Sequence, residues 1–132
     1  HKLSQWLSYS LMESLERANI KIVHIDTLTG LAEYRNGGLF VDLGVFSLKD
    51  SSDQKVGHHP DEDIIIEWRA LTVIGLDKVA SLIRKKLKIS SIDFPLPKIL
   101  EGGTWHAGRK VAKQIRGNGN PPITIISDGT VF

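Results

Sequence analysis

Residues 61–87 read DEDIIIEWRALTVIGLDKVASLIRKKL, and this stretch decides the fold class. An apolar stripe runs through Ile65, Trp68, Leu71, Val73, Leu76, Val79, Ala80 and Ile83. Such recurrence at three- and four-residue spacing is the mark of an amphipathic helix. No Pro interrupts it, and Gly75 is its weak point. Asp61, Glu62 and Asp63 open it, and Arg84, Lys85, Lys86 and Lys88 close it. That order of charge matches the helix dipole. The spacing therefore predicts one long helix.

Working outward, Leu3, Trp6, Leu7, Leu11 and Leu15 predict a second amphipathic helix over about residues 2–18. IKIVHI at 20–25 reads as a short strand or an extended connector. Residues 30–46, GLAEYRNGGLFVDLGVF, are interrupted by Asn36-Gly37-Gly38. Local turn chemistry allows a hairpin there. A broken helix, restarting at Gly37 and running to Phe46, is the alternative, and the family resemblance of these residues favours it. Residues 47–62 form a polar loop. Beyond Pro95 and Pro97, residues 104–116 read as a helix. At the C-terminal end, Thr124 to Ser127 reads as a strand, Asp128-Gly129 as a turn, and Thr130 to Phe132 as a returning strand. The expected fold is mainly α, in a single domain over 1–132, with a small C-terminal β-hairpin. His1 opens straight into the first helix, which leads us to expect a C-terminal fragment of a longer chain.

Composition narrows the function classes. The 132 residues are 41% hydrophobic and 24% charged, ordinary values for a folded domain. Seventeen basic and 15 acidic residues leave a net charge of +2. That surplus is too small to argue for nucleic acid or a membrane surface as partner. No apolar run approaches the ~20 residues that span a bilayer. The absence of cysteine excludes disulfides and thiolate metal sites and fits a cytoplasmic, or also nuclear, location.

Several residues suggest chemistry. Glu33-Tyr34-Arg35 sets a carboxylate beside an aromatic ring and a guanidinium; it reads either as an active carboxylate or as a surface ion pair. Asp42 lies inside the apolar run FVDLGVF, where an ionised group needs a partner or points outward. Glu67 and Arg69 flank Trp68 and read as a site pair, one of them facing the Glu33–Arg35 region, or as a structural ion pair. His58-His59 with Asp61, Glu62 and Asp63 matches no zinc spacing and reads as a loop leading into a helix start. Gly102-Gly103-Thr104-Trp105, followed by His106, Arg109 and Lys110, reads as a helix N-terminus able to hold a phosphate, or as an N-cap by Thr104 with Trp105 packed. No Walker A, GxSxG or paired-histidine zinc motif is present.

KLSQWLSYSL (2–11), LTGLAEYRNGGLFVDLGV (28–45), EWRALTV (67–73), LEGGTW (100–105) with Ala107-Gly108-Arg109, and SDGTVF (127–132) resemble the signature stretches of the uracil-catabolism protein family of fungi and bacteria. Ala32 and His106 depart from that pattern, standing where a Pro and a small residue are usual. More distantly, Lys2-Leu3-Ser4-Gln5, Ala32-Glu33-Tyr34-Arg35, Leu43-Gly44-Val45 and Glu67-Trp68-Arg69-Ala70 are similar in order to queuosine-nucleotide glycosidases, helical proteins of the helix-hairpin-helix glycosylase type. That resemblance matches Lys2 and Glu33 to a catalytic Lys and Asp, with Glu one methylene longer than Asp.

Together the resemblances imply hydrolysis of an N-ribosyl bond in a ribosylurea or ribosylated pyrimidine. Glu33 would be the catalytic carboxylate and Lys2 its partner. Arg35, Tyr34, Asp42, Glu67, Arg69 and the 102–105 turn with Arg109 would bind substrate. This chemistry requires no metal and no cofactor. An amidohydrolase of the same pathway, and a non-catalytic pyrimidine-nucleotide-binding partner of another pathway enzyme, are the competing expectations.

Overall fold

The computed structural model describes residues 1–127 and 129–132. The long helix is present as α3, Asp63–Leu87. It buries Ile65, Trp68, Thr72, Leu76 and Ala80 on one face. Basic residues fill its last turn, and Lys88 leaves it in the left-handed conformation at φ 55°. The first helix, α1, covers Lys2–Arg17. Residues 20–24 follow as an irregular connector, not a strand, with His24 in the left-handed conformation at φ 59°.

The segment around Asn36-Gly37-Gly38 is helical, as favoured, but the helix is unbroken and starts earlier. A single helix, α2, runs through it as Tyr34–Asp42. The glycines serve packing instead of a turn. A methyl on Gly37 would overlap the Thr72 hydroxyl and come within 2.8 Å of Trp68 Nε1. Small residues here let α2 lie directly on α3.

The C-terminal part departs further from expectation. A short helix, α4 (Leu96–Ile99), passes into a π-helical stretch, Leu100–Trp105, and then into α5, His106–Arg116, without interruption. Thr104 therefore does not cap a helix start. The expected C-terminal hairpin is also replaced. Strand β2, Thr124–Ile125, pairs in parallel with β1, Gly57–His58, in the register Gly57 to Thr124 and His58 to Ile125. Residues 130–132 form no strand, and Asp128 of the expected turn lies outside the described residues.

Two apolar clusters hold these parts together. One joins Ala32, Ile65, Trp68, Ile123 and Phe132, with the Phe132 ring edge-on to Trp68 at 4.6 Å. The other joins Phe40, Leu76 and Leu100, with Tyr9 packed against it. Among the described residues no helix is long and apolar enough to cross a membrane.

Candidate functional site

The first turn of α2 organises the site. Glu33 has extended backbone (φ −126°, ψ 138°) and caps this helix. Its Oε2 accepts hydrogen bonds from the amides of Arg35 at 3.0 Å and Asn36 at 3.4 Å. Its Oε1 faces the Arg35 guanidinium at 3.3 Å. A helix N-terminus stabilises negative charge, and these donors add to that. Yet Glu33 is fully buried, at 0% exposure. Burial dominates and holds the carboxyl above its ordinary value, while Arg35, the two amides and Lys2 pull it back down. The result is an interior acid whose proton is retained to a higher pH than usual.

Lys2 comes to the same region from the start of α1. Its ammonium is buried and donates to the carbonyls of Gly129 at 2.6 Å and Phe132 at 3.1 Å. It also lies close enough to Glu33 to lower that group's pKa. The Arg35 guanidinium stacks on Tyr34 at 4.8 Å and on Trp105 at 5.1 Å, and Arg109 stacks on Trp105 at 5.1 Å. Two cations thus share one indole. Behind them the Thr104 hydroxyl donates to Asn36 Oδ1 at 2.9 Å, and both side chains are buried.

Lys2, Glu33, Tyr34, Arg35, Thr104, Trp105 and Arg109 are therefore brought together through α1, α2 and the helical run after Leu96. The expected amides of a helix start at Gly102 and Gly103 are not available, because both glycines lie inside that run. The cationic character at this position comes from the two arginines.

Three other candidates lie elsewhere or stand apart. Asp42 neither points outward nor joins Glu33. It forms a two-pronged ion pair with Arg116 at 2.6 and 2.7 Å, tying the end of α2 to the end of α5. Glu67 is held by the exposed Lys49 at 2.9 Å rather than by the Glu33–Arg35 group. Arg69 is partly buried, and among the described residues its Nε meets no hydrogen-bond acceptor. Both loop histidines engage Glu62, His59 through its amide at 2.6 Å. His58 is buried between Glu62 (2.7 Å) and the Asp53 carbonyl (3.0 Å), and the Glu62 hydrogen bond raises its pKa. Among the described residues no group of three or more His, Cys, Asp or Glu could hold a metal.

A cleft of about 460 Å³ opens beside the first turn of α2. Trp6, Tyr9 and Glu13 of α1 form one wall, and Asn36, Glu101 and Trp105 lie across from them. Its size and mix of aromatic and polar groups suit a small molecule. Glu33 does not line it; the cleft reaches α2 at Asn36. Tyr9 donates to the Thr29 carbonyl at 2.6 Å, and burial, with Asp77 nearby, pushes its phenol up to about 12. Asn36 and the α1 wall escaped the sequence reading. Asn36 sits in an Asn-Gly-Gly string that reads as a turn, and Trp6 has the spacing of an ordinary core residue.

Comparison with known proteins agrees with the spread of motifs along the whole chain. It is 44% identical over 135 residues to Protein urg3 of Schizosaccharomyces pombe, covering 100% of this chain and 34% of that protein. It is 44% identical over 150 residues to Uracil catabolism protein 4 of Lachancea kluyveri, again covering 100% of this chain and 34% of that one. The chain thus spans about a third of the length of these curated relatives. No solved structure matches it. The family model described as Protein of unknown function (DUF1688) matches residues 1–132, and the chain belongs to that family.

Proposed function

We propose that this chain serves uracil catabolism, as the name of its Lachancea kluyveri relative says of that protein, and that it carries catalytic groups of a hydrolase acting on an N-ribosyl bond. The substrate class is a ribosylurea or another ribosylated pyrimidine fragment. One observation carries the reading: a fully buried carboxyl, Glu33, is held at a helix N-terminus by Arg35 and two amides, with its pKa raised by burial. Such an acid can take and return a proton at moderate pH.

In the reaction, the C1′–N bond breaks as positive charge builds on the ribose ring. Water adds its oxygen to C1′ and passes a proton to the Glu33 carboxylate, which returns it to the departing nitrogen. The sum is hydrolysis to free ribose hydroxyl and urea or base. An ionised Glu33 stabilises the ring cation, and Lys2 and Arg35 tune its ionisation. The cleft at Asn36 and Trp105 receives the ligand. Glu33, bonded to the Asn36 amide but not lining the cleft, reaches the ring once the turn over it opens in the full-length protein. Arg35 and Arg109 offer a phosphate their guanidinium donors. The distant likeness to helix-hairpin-helix glycosidases is part of this proposal.

The test is to incubate a full-length protein carrying this region with ribosylurea, uridine and their 5′-phosphates, following each by nuclear magnetic resonance. Release of urea or uracil with a new anomeric hydroxyl signal is expected. Ring opening with the N-ribosyl bond intact would instead identify an amidohydrolase. Binding without consumption would identify a non-catalytic partner.

A further inference from the structure

Helix α1 sits on the body with its amphipathic faces reversed. The side that touches the body is largely polar: Lys2 is buried, and Gln5 and Tyr9 are half-buried. That side is fixed by hydrogen bonds. Gln5 Oε1 accepts from the Thr29 amide at 3.1 Å, Tyr9 donates to the Thr29 carbonyl, and Lys2 donates to two carbonyls near the C-terminus. The apolar side faces out. Leu3, Trp6, Leu7, Leu11 and Leu15 are 37–60% exposed, in a row along one face of the helix. Rolling the helix to hide them would break the bonds to Thr29 and bury polar groups in exchange.

A contiguous apolar row held outward by polar bonds on the opposite side of its helix is suited to be covered by another structure. Its area says what kind. Five partly exposed side chains present at most a few hundred Å², well short of the ~800 Å² per partner that a free-standing complex buries. A second copy meeting only this face would gain too little to stay associated. A segment of the same polypeptide needs no such area, because tethering supplies a high effective concentration. The curated relatives carry about two thirds of their length beyond the part this chain matches.

We propose that the outward face of α1 is the seat of that additional polypeptide, packed in cis through an apolar helix or strand face. Trp6 belongs both to this row and to the wall of the cleft. The docked segment would therefore also close one side of the site. The inference stands on the packing of α1 and does not depend on the hydrolase reading.

The sequence contains no cysteine, so an introduced thiol reports on its own position. Leu7→Cys is placed in the 132-residue chain and in a full-length protein carrying it, with the latter's own cysteines replaced. Maleimide labelling is followed under native conditions. Glu16→Cys, at an exposed position, serves as the reference. Labelling at Leu7→Cys is expected to match the reference in the short chain and to slow at least 100-fold in the long one. Leu11→Cys should behave in the same way, and serves if Leu7→Cys lowers the melting temperature. Equal, rapid labelling in the long protein would overturn the proposal. Protection in the short chain that grows with protein concentration would overturn it too, in favour of a second copy.

Discussion

The Cα of Gly108 in α5 lies against the backbone carbonyl of Arg35 in α2, so close that a methyl group there would overlap the carbonyl oxygen. This contact sets the distance between the helix carrying Trp105 and the helix carrying Arg35. Backbone can yield only if one helix moves. Gly108→Ala should therefore destabilise the protein by about 1–3 kcal/mol, despite the better helix propensity of Ala. Gly102→Ala, which meets nothing within 4 Å, should be neutral or mildly stabilising. Urea unfolding of both variants checks the pair, and equal behaviour would refute the close-approach argument.

The Asp42–Arg116 pair should behave as a buried clamp. Asp42 has 4% of its side chain exposed and Arg116 has 23%. Removing the arginine leaves a carboxylate with little access to water. Arg116→Met should cost about 3–5 kcal/mol, and Asp42→Asn less, because the guanidinium it leaves unpaired has more access to water than the carboxylate. Combining the two should recover part of the loss. A double-mutant cycle reads this directly, and strict additivity would show that the ion pair contributes nothing of its own.

Glu33→Gln should separate activity from stability. It keeps a side-chain oxygen for the amides of Arg35 and Asn36 but removes the charge. Since burial raises the Glu33 pKa above 4.5 in the folded protein, its contribution to stability is full below that value and is lost as pH rises through the folded pKa. The Gln variant should lack this loss and melt at or above the parent temperature at pH 7. In the full-length protein it should also lose turnover while still binding ligand. Unchanged turnover would remove Glu33 from the mechanism.

His58 gives a second pH effect, in a higher window. Its pKa is raised above 6.5 chiefly by the hydrogen bond to Glu62. The stabilisation is therefore complete below 6.5 and fades as pH climbs through the raised value. Melting temperatures of the parent and of Glu62→Gln should differ most at pH 6 and converge in alkaline buffer. A constant difference across that range would rule out the titration of His58 as its source.

Some of this architecture is legible in the sequence because it rests on local periodicity. Helix α3 shows plainly, since its stripe and its terminal charges agree. Helix α1 shows as a helix, but periodicity does not tell which side meets the body; the polar bonds to Thr29 decide that. The glycines mislead most. Gly37 and the Gly102-Gly103 pair suggest turns by local chemistry, but all three lie within helices. The strand at Thr124 is legible, whereas its parallel partner at Gly57 is a distant pairing that no short-range signal announces. For the site, the Glu33-Tyr34-Arg35 string stands out by charge. Asn36 does not, because its importance comes from burial against Thr104, a neighbour 68 positions away.

The miniature β1–β2 ladder has a consequence for the order in which the chain assembles. Its strands join residues 57 and 124, so everything between them must be threaded and compacted before the ladder can close. Closing so large a loop for two residue pairs is entropically unfavourable on its own. We expect the helices to form first and this seam to zip last. It should also be among the first parts to open in native-state hydrogen exchange, with the Ile126 amide, bonded to the His58 carbonyl at 2.8 Å, as its natural reporter.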